Sequence, residues 1–370
     1  MKSGVCYKLC IVVMFWIILS PYAGFAEQQR VDAAGEHLKI PPLLESIRFD
    51  SDIRFCGIRI PVEDQDVKEL LEKELLLALW DRPQVILWMK RSAKYFPHIE
   101  TIIQQYGLPA DLKYIPLIES GLRPHVNSSK NAVGYWQFLE STGKRHGLRI
   151  DHMVDERRNI FDSTHAACKY LTQLNKRFES YLLALCAYNM GQSALSREMK
   201  AQDASDFFSL YLPQQTQQYI FKAIAVKMIL EHPQDYGFDF EPEDFYPVFS
   251  FDKVNLTSDF QLPITLLGKA AGVPFKTIKE YNPQLRGYYT AQGNLSVFIP
   301  KGTARGFKEK FAVEYEKWVK TDSRRIHIVR QGESLIGISK IYRMSLSSLL
   351  ELNKLSSKGM IHPGDKLWIK

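Results

Sequence analysis

Three short stretches decide the reading of this chain: Ile115-Pro116-Leu117-Ile118-Glu119-Ser120-Gly121, Gly134-Tyr135-Trp136-Gln137-Phe138 and Ala187-Tyr188-Asn189-Met190-Gly191. Leu112, Ile115 and Glu119 stand at i, i+3 and i+7, one face of a helix. The Glu119 carboxyl therefore emerges from an apolar stripe and not from a solvated side. Desolvation there disfavours the charged form and raises the pKa, as a general acid working near neutrality requires. Pro116 removes one helical amide and predicts a kink, and Gly121 lets the chain turn just beyond Glu119.

The polar run from Pro124 to Val133 reads as a loop, with Gly134 free to bring backbone close to a ligand. Gln137 offers both a donor and an acceptor to hydroxyl and acetamido groups. Trp136 has two readings, a stacking platform or a buried anchor for the loop. In Tyr181 to Gly191, Leu182 and Leu185 recur with Tyr188 or Asn189 at helical spacing, and Gly191 is a natural C-terminal stop. Further on, Leu212-Pro213-Gln214-Gln215-Thr216-Gln217-Gln218-Tyr219 opens another apolar helix.

Around these stretches the chain has 370 residues, 45% hydrophobic and 24% charged, enough for two or three globular domains. The formal charge is +7, scattered along the sequence with no basic block, which gives nucleic-acid binding no support. Residues 1–26 read as a signal peptide: Lys2 and Lys8, an apolar run from Ile11 to Leu19, and a small-x-small end at Gly24-Phe25-Ala26. Cys6 and Cys10 precede the apolar run, so no lipobox is expected, and the chain reads as exported. Cys56, Cys168 and Cys186 remain after the leader, and an odd number excludes complete pairing. Cys168 and Cys186 fall in apolar helical stretches and are expected as buried thiols. The nine histidines show no metal-ligand spacing, and neither metal nor cofactor is expected.

Residues 27–65 form an irregular N-terminal segment, interrupted by Pro41, Pro42, Gly57 and Pro61. Asp66 and Glu69 look like a capping box opening a mainly helical domain over 66–235. Its helices are predicted near Gln84–Phe96, Ile99–Tyr106, Pro109–Glu119, Ser163–Arg177, Tyr181–Met190 and Thr216–Glu231. Two modules follow, at 236–302 and 326–370, joined by a helix-containing linker over 303–325. The second reads strand–helix–helix–strand: Ile326–Val329, Leu335–Tyr342, Ser345–Leu352 and Leu367–Ile369. The fold class is thus a mainly α domain followed by small βααβ modules.

The order and spacing of the motifs resemble the lytic transglycosylases of the goose-lysozyme-like superfamily (glycoside hydrolase family 23), in particular the membrane-bound lytic transglycosylase D type. The 326–370 segment resembles a LysM domain, a binder of glycans that contain N-acetylglucosamine. The resemblance implies a lysozyme-like helical fold and cleavage of the MurNAc-β-1,4-GlcNAc bond of peptidoglycan, leaving 1,6-anhydro ends, with Glu119 as the general acid and base. It carries substrate-binding roles to Ser128, nine residues after the glutamate, and to Gln137, Tyr188 and Asn189. Tyr219 corresponds to a tyrosine that contacts the glutamate, while Gln215 stands where the family has a glutamate. In the LysM segment the glycan is expected between Gly332-Glu333-Ser334 and Ile361-His362-Pro363. Residues 249–300 lack the polar turn, with Ser258-Asp259-Phe260-Gln261 in its place, and read as a degenerate copy.

The expected partners are peptidoglycan glycan strands, acted on by a periplasmic, wall-associated monomer; association with wall synthesis or division machinery is left open. A second catalytic carboxylate is absent from the motifs, which favours a substrate-assisted reaction. Two other readings stay open at this point: a hydrolytic muramidase on the same fold, and a non-catalytic peptidoglycan-binding scaffold.

Overall fold

The structure, a computed structural model, describes residues 41–369 except 49–51, 259–260, 323–325, 343 and 357–358. The leader expected over 1–26 lies outside the described residues. A short helix, α1 (Leu43–Ser46), precedes a small hairpin of β1 (Arg54–Phe55) and β2 (Ile58–Arg59). The helical body follows: α2 (Gln65–Trp80), α3 (Arg82–Gln105), α4 (Ile115–Ser120), α5 (Glu140–Arg145), α6 (Ile160–Phe178), α7 (Tyr181–Met190), α8 (Gln192–Gln202) and α9 (Gln214–Glu231).

The helix starts differ from the sequence reading in instructive ways. Asp64, not Asp66, caps α2, its carboxylate accepting from the amides of Asp66 at 2.9 Å and Val67 at 3.2 Å. Where two helices were expected over 84–106, α3 is continuous and carries Pro97 inside it. Apolar residues on both sides of that proline, Val85, Trp88 and Met89 before it and Ile99, Ile102 and Ile103 after it, are buried in one core, and this packing overrides the lost amide. The Pro109–Glu119 stretch divides into a 3-10 turn (Ala110–Tyr114) and the short α4. Pro116 falls in the first turn of α4, where an amide has no helical partner anyway, so it begins the helix and does not kink it.

The body's core is built from α2, α3, α6, α7 and α9, with α7 nearly central: Leu182 through Ala187 are all buried. Cys56, Cys168 and Cys186 are buried, unpaired thiols. No helix among the described residues is long and apolar enough to cross a membrane.

Beyond the body, β3 (Phe251–Ser258) pairs antiparallel with β4 (Gly293–Pro300) over eight residues, from Phe251↔Pro300 to Ser258↔Gly293. Between them lie α10 (Ile264–Ala271) and α11 (Phe275–Tyr281). The segment expected as a linker holds α12 (Phe307–Asp322), which packs on α10 and buries Phe307 in the module core. The last module repeats the order: β5 (Ile326–Ile328), α13 (Leu335–Ile341), α14 (Leu346–Asn353) and β6 (Lys366–Trp368), with β5 and β6 antiparallel. Its small core is Val329, Ile338, Leu349, Leu367 and Ile369.

The first module is tied to the helical body. Leu285 bridges to Val154, the Asp155 amide donates to the Gln284 carbonyl at 2.9 Å, and the Arg286 amide donates to the Met153 carbonyl at 2.8 Å. Phe249, Phe251 and Phe298 cluster on Phe161 of α6, with ring centroids 5.0–6.4 Å apart. The module at 249–300, read from the sequence as a degenerate copy, is thus built onto the body.

Candidate active site

Glu119 is the penultimate residue of α4 and is half-buried. Burial pushes its carboxyl up to about 7, against the opposing pull of the Tyr219 hydrogen bond and the Lys222 charge. The Tyr219 hydroxyl donates to Oε1 at 2.9 Å. Tyr219 and Lys222 are three apart on α9 and so share a face, which α9 turns toward α4. Burial and the neighbouring Glu119 charge both push the Tyr219 hydroxyl up, so it stays a proton-bearing donor.

Just past Glu119 the chain reverses. Gly121 has φ +59° and closes α4 with its amide on the Leu117 carbonyl at 2.8 Å. Ser120, a residue singled out only as part of its motif, ties the two ends of the site together. Its buried hydroxyl donates to the Tyr135 carbonyl at 2.8 Å, with the Pro116 carbonyl 3.0 Å away.

The loop between Asn127 and Phe138 is a tight folded structure, with bridges Asn127↔Val133 and Val133↔Phe138. Ser128 closes its tip: its amide donates to the Ala132 carbonyl at 2.9 Å and its Oγ accepts from the Ala132 amide at 3.0 Å. Gln137 has φ +48°, and its side-chain amide donates to the carbonyls of Val126 at 3.1 Å and Gly134 at 2.8 Å. Both of its donors are thus held by the loop, and only Oε1 remains for a ligand. Trp136 is fully buried and donates from Nε1 to the Thr164 hydroxyl at 2.9 Å, so it is the loop's anchor and not a stacking platform.

Gly134 also acts differently from the sequence reading. It has φ +86°, and a Cβ there would fall 1.9 Å from the Arg157 carbonyl oxygen. The glycine makes room for the protein's own backbone and not for a ligand's. Arg157 is the hub behind the loop. Its guanidinium reaches the carbonyls of Asn131 at 3.3 Å and Phe138 at 3.1 Å and is paired with buried Asp155 at 2.8 and 2.9 Å. Burial pushes the Asp155 carboxyl up, but the Arg157 hydrogen bond and the charges of Arg157 and Arg158 outweigh it and hold the carboxyl below its usual value. Asp155 is the residue whose amide meets Gln284 of the first module, so one chain of contacts runs from that module to the loop.

From α7, the Tyr188 hydroxyl donates to the Trp136 carbonyl at 2.6 Å, and Asn189 Oδ1 accepts from the Thr216 hydroxyl at 3.2 Å. The Glu119 charge is among the causes that push the Tyr188 hydroxyl up, after burial, which puts Tyr188 in the carboxylate's field. Tyr188 and Asn189 thus join the loop to α7 and α9. Gln215 is exposed at the start of α9 and disturbs nothing around it.

Glu119 also lines a cleft of about 370 Å³, bounded by residues of α2, α3, α4 and α9. Its walls include Glu74, Gln84, Trp88, Arg123 and Lys222, none of which the motifs indicate. Spacing gives a signal for Lys222 alone, three residues from Tyr219. Glu74 and Trp88 look like ordinary core-facing positions in the sequence.

In the last module, Gly332 has φ +84° in the turn before α13, and Ser334 caps that helix, its Oγ accepting from the Gly337 amide at 3.1 Å. Glu333 accepts from the Arg330 amide at 2.7 Å and meets His327 Nε2 at 2.5 Å. Val329 bonds both Gly364 and Asp365 through its backbone, bringing the 332–334 turn beside the exposed His362 and Pro363 and the half-buried Ile361. The polar groups of Glu333 and Ser334 are therefore engaged in shaping the turn.

Residues 98–210 match the Transglycosylase SLT domain and residues 327–370 the LysM domain. The chain thus carries a helical SLT domain followed by a LysM domain, and Glu119, Ser128, Gln137, Tyr188 and Asn189 fall inside the first match, with Tyr219 just beyond it. The chain is 30% identical over 293 residues to the membrane-bound lytic murein transglycosylase D of Escherichia coli K12, and equally to that of Escherichia coli O6:H1. Each alignment covers 75% of this chain and 64% of the relative, so the chain spans under two thirds of those proteins' length. The crystal structure of the 70 kDa soluble lytic transglycosylase of Escherichia coli aligns with TM-score 0.34 and 13% identity over 48% of this chain and 33% of that one.

Proposed function

We propose that the protein is a peptidoglycan lytic transglycosylase, cleaving the MurNAc-β-1,4-GlcNAc bond and leaving a 1,6-anhydro-MurNAc end. The observation that carries this reading is the Glu119 carboxyl. It is half-buried, open to a cleft, raised to about 7 and held by the Tyr219 hydroxyl at 2.9 Å. At neutral pH such a group is divided between its acid and its base forms, as a residue that first gives and then takes a proton requires.

In this mechanism protonated Glu119 donates to the glycosidic oxygen as the C1–O bond breaks. The substrate's own acetamido oxygen bonds to C1 in place of an enzyme carboxylate. The C6 hydroxyl then attacks C1, the acetamido group leaves it, and the hydroxyl proton passes to the Glu119 carboxylate. Tethering of the attacking hydroxyl makes the step effectively unimolecular. Ser128 and the free Oε1 of Gln137 serve the acetamido group and hydroxyls, and Tyr188 and Asn189 hold the loop that presents them. Two other acids line the cleft: Asp81 caps α3, and Glu74 is raised above its usual value by burial, which suits it poorly to the part of an ionised nucleophile. Mass spectrometry of digested peptidoglycan tests the reading against hydrolysis: anhydro products are lighter by one water, and products of full mass would assign a muramidase.

Tyr219→Phe gives a pH test. The Tyr219 hydrogen bond favours the carboxylate, so its loss raises the Glu119 pKa further and the protonated form persists to higher pH. The alkaline limb of kcat/KM should move upward, with turnover reduced roughly ten- to a thousandfold. An unmoved limb would remove Tyr219 from the site. Ser128→Ala is expected to lower turnover in the same range.

The last module is proposed to hold the enzyme on its polymer, which raises the local glycan concentration at an independent cleft. Deletion of residues 326–370 should weaken retention on purified sacculi and spare cleavage of soluble fragments. Deletion of 251–300 is expected to abolish cleavage as well, because that module buttresses the Arg157 hub. Equal, purely retention-limited losses from both deletions would overturn the distinction. A wall substrate and the leader expected over 1–26 agree with an exported, periplasmic protein.

A further inference from the structure

The seam between the helical body and the first module gathers basic groups from three separate segments. Arg158 ends a 3-10 turn (Glu156–Arg158), with its side chain largely buried. Its Nη1 donates to His125 Nδ1 at 3.0 Å, on the loop that leads to Ser128. The neutral imidazole thus accepts on Nδ1 and keeps Nε2–H as a donor. From the module, Lys279 on α11 donates from Nζ to the carbonyls of Leu285 and Gly287, the latter at 3.2 Å. Leu285 is the residue bridged to Val154, so the ammonium is fixed where module and body meet. Only positive charges act on the two members that titrate. Burial, then Arg158 and Lys279, holds the His125 imidazole below its usual value; burial, then Arg158, does the same to Lys279. Arg158 does meet a carboxylate, with its Nε 3.5 Å from Asp155, but that acid is already held by Arg157 at 2.8 and 2.9 Å. Like charges drawn together in this way repel and oppose the compact state, and an anion from outside would relieve them.

We propose that His125, Arg158 and Lys279 form a binding site for a carboxylate of the peptide stem carried by the muramic sugar at the cleavage point. The inference rests on the peptidoglycan reading for its ligand. Its place in the fold suits it. His125 precedes Val126, whose carbonyl accepts the Gln137 side-chain amide at 3.1 Å, and it stands three residues before Ser128. Gln137 and Ser128 are the residues assigned to the acetamido group, which the muramic sugar carries on C2. The lactyl group that begins the stem is on C3, the adjoining carbon. A stem leaving a sugar so held starts next to the loop that carries His125. Guanidinium, ammonium and imidazole donors together match a carboxylate, and charge-assisted hydrogen bonds of this kind are the strong ones. The first module thereby contributes Lys279 to the substrate site, besides supporting the loop from behind.

The test is hydrogen–deuterium exchange on the full chain with three forms of the GlcNAc–MurNAc disaccharide: bearing its peptide stem, with the stem removed, and with the stem carboxylates amidated. The expected result is slowed exchange in 121–131, 155–162 and 275–289 with the first form alone, in addition to any effect in 326–369. His125→Glu places a counter-charge at an exposed position. It should abolish the stem-dependent protection without lowering Tm, because it relieves the repulsion. Lys279→Met should weaken stem binding about tenfold, the loss of one hydrogen bond to a charged group; its ammonium also bonds module carbonyls, so His125→Glu decides if that variant unfolds. Equal protection by the stem-bearing and stem-free disaccharides, protection that survives amidation, or His125→Glu with wild-type stem binding or a lowered Tm would overturn the site. The disaccharide has no MurNAc–GlcNAc bond to cleave, so no readout requires turnover, and an inactive enzyme would count against the cleavage reading alone.

Discussion

Glu119→Gln is expected to yield a folded protein that still binds peptidoglycan and no longer cleaves it. The amide preserves the size of the side chain and can still accept the Tyr219 hydroxyl, now 2.9 Å from Oε1. It has no proton to give to a departing glycosidic oxygen. General acid catalysis typically contributes about 10²–10⁴-fold, and this residue acts twice, so turnover should fall to the upper end of that range or beyond. The fold should tolerate the change, because a carboxyl held near 7 by burial is already half neutral at neutral pH. The measurement is release of soluble muropeptides from sacculi, with retention on sacculi as the control. More than a few per cent residual cleavage would assign the acid elsewhere and reopen the reading of a non-catalytic scaffold.

Gly134→Ala should be nearly as damaging, for a reason unrelated to chemistry. The added methyl would lie 1.9 Å from the Arg157 carbonyl oxygen and 2.5 Å from its carbon, at a φ of +86° that side-chain-bearing residues rarely adopt. The obstacle is backbone, so no rotamer change relieves it. Either the 134–138 loop lifts away or the 155–158 segment moves, and the latter is pinned by the buried Asp155–Arg157 pair and by Gln284. Mechanisms of this kind cost about 3 kcal/mol or more, which is roughly 6–12 °C in Tm for a body of this size. Cleavage should fall with it, because Tyr135 is bonded to Ser120, the neighbour of Glu119. A variant with wild-type Tm and wild-type turnover would show that the loop has slack the structure does not suggest.

Two of the motifs were legible because each pairs an apolar helical stretch with a polar residue near its end, Glu119 on α4 and Asn189 on α7. Ile115 and Glu119 stand one helical turn apart on α4 and so share a face, although Leu112 falls in the preceding 3-10 turn. The order of the elements in both βααβ modules was legible for the same reason, alternation and turn residues being local signals. Pro97 was misread because proline's local penalty says nothing of what the flanking residues bury, and Pro116 because the break before α4 places it in a first turn. Trp136 had two readings in the sequence, and only the position of Thr164 on α6 selects between them.

The sequence by itself determined the helical domain, the order of the modules and the place of Glu119 at the end of an apolar helical stretch, because these depend on contacts within a few residues of one another along the chain. The tertiary structure alone decided what surrounds the acid. Tyr219 is 100 residues from Glu119, Gly134 is a glycine because of Arg157, and Glu74 comes from a helix that no motif touches. Burial, field and the shape of a cleft are properties of the packed whole, and a pattern of neighbours along the chain carries no measure of them.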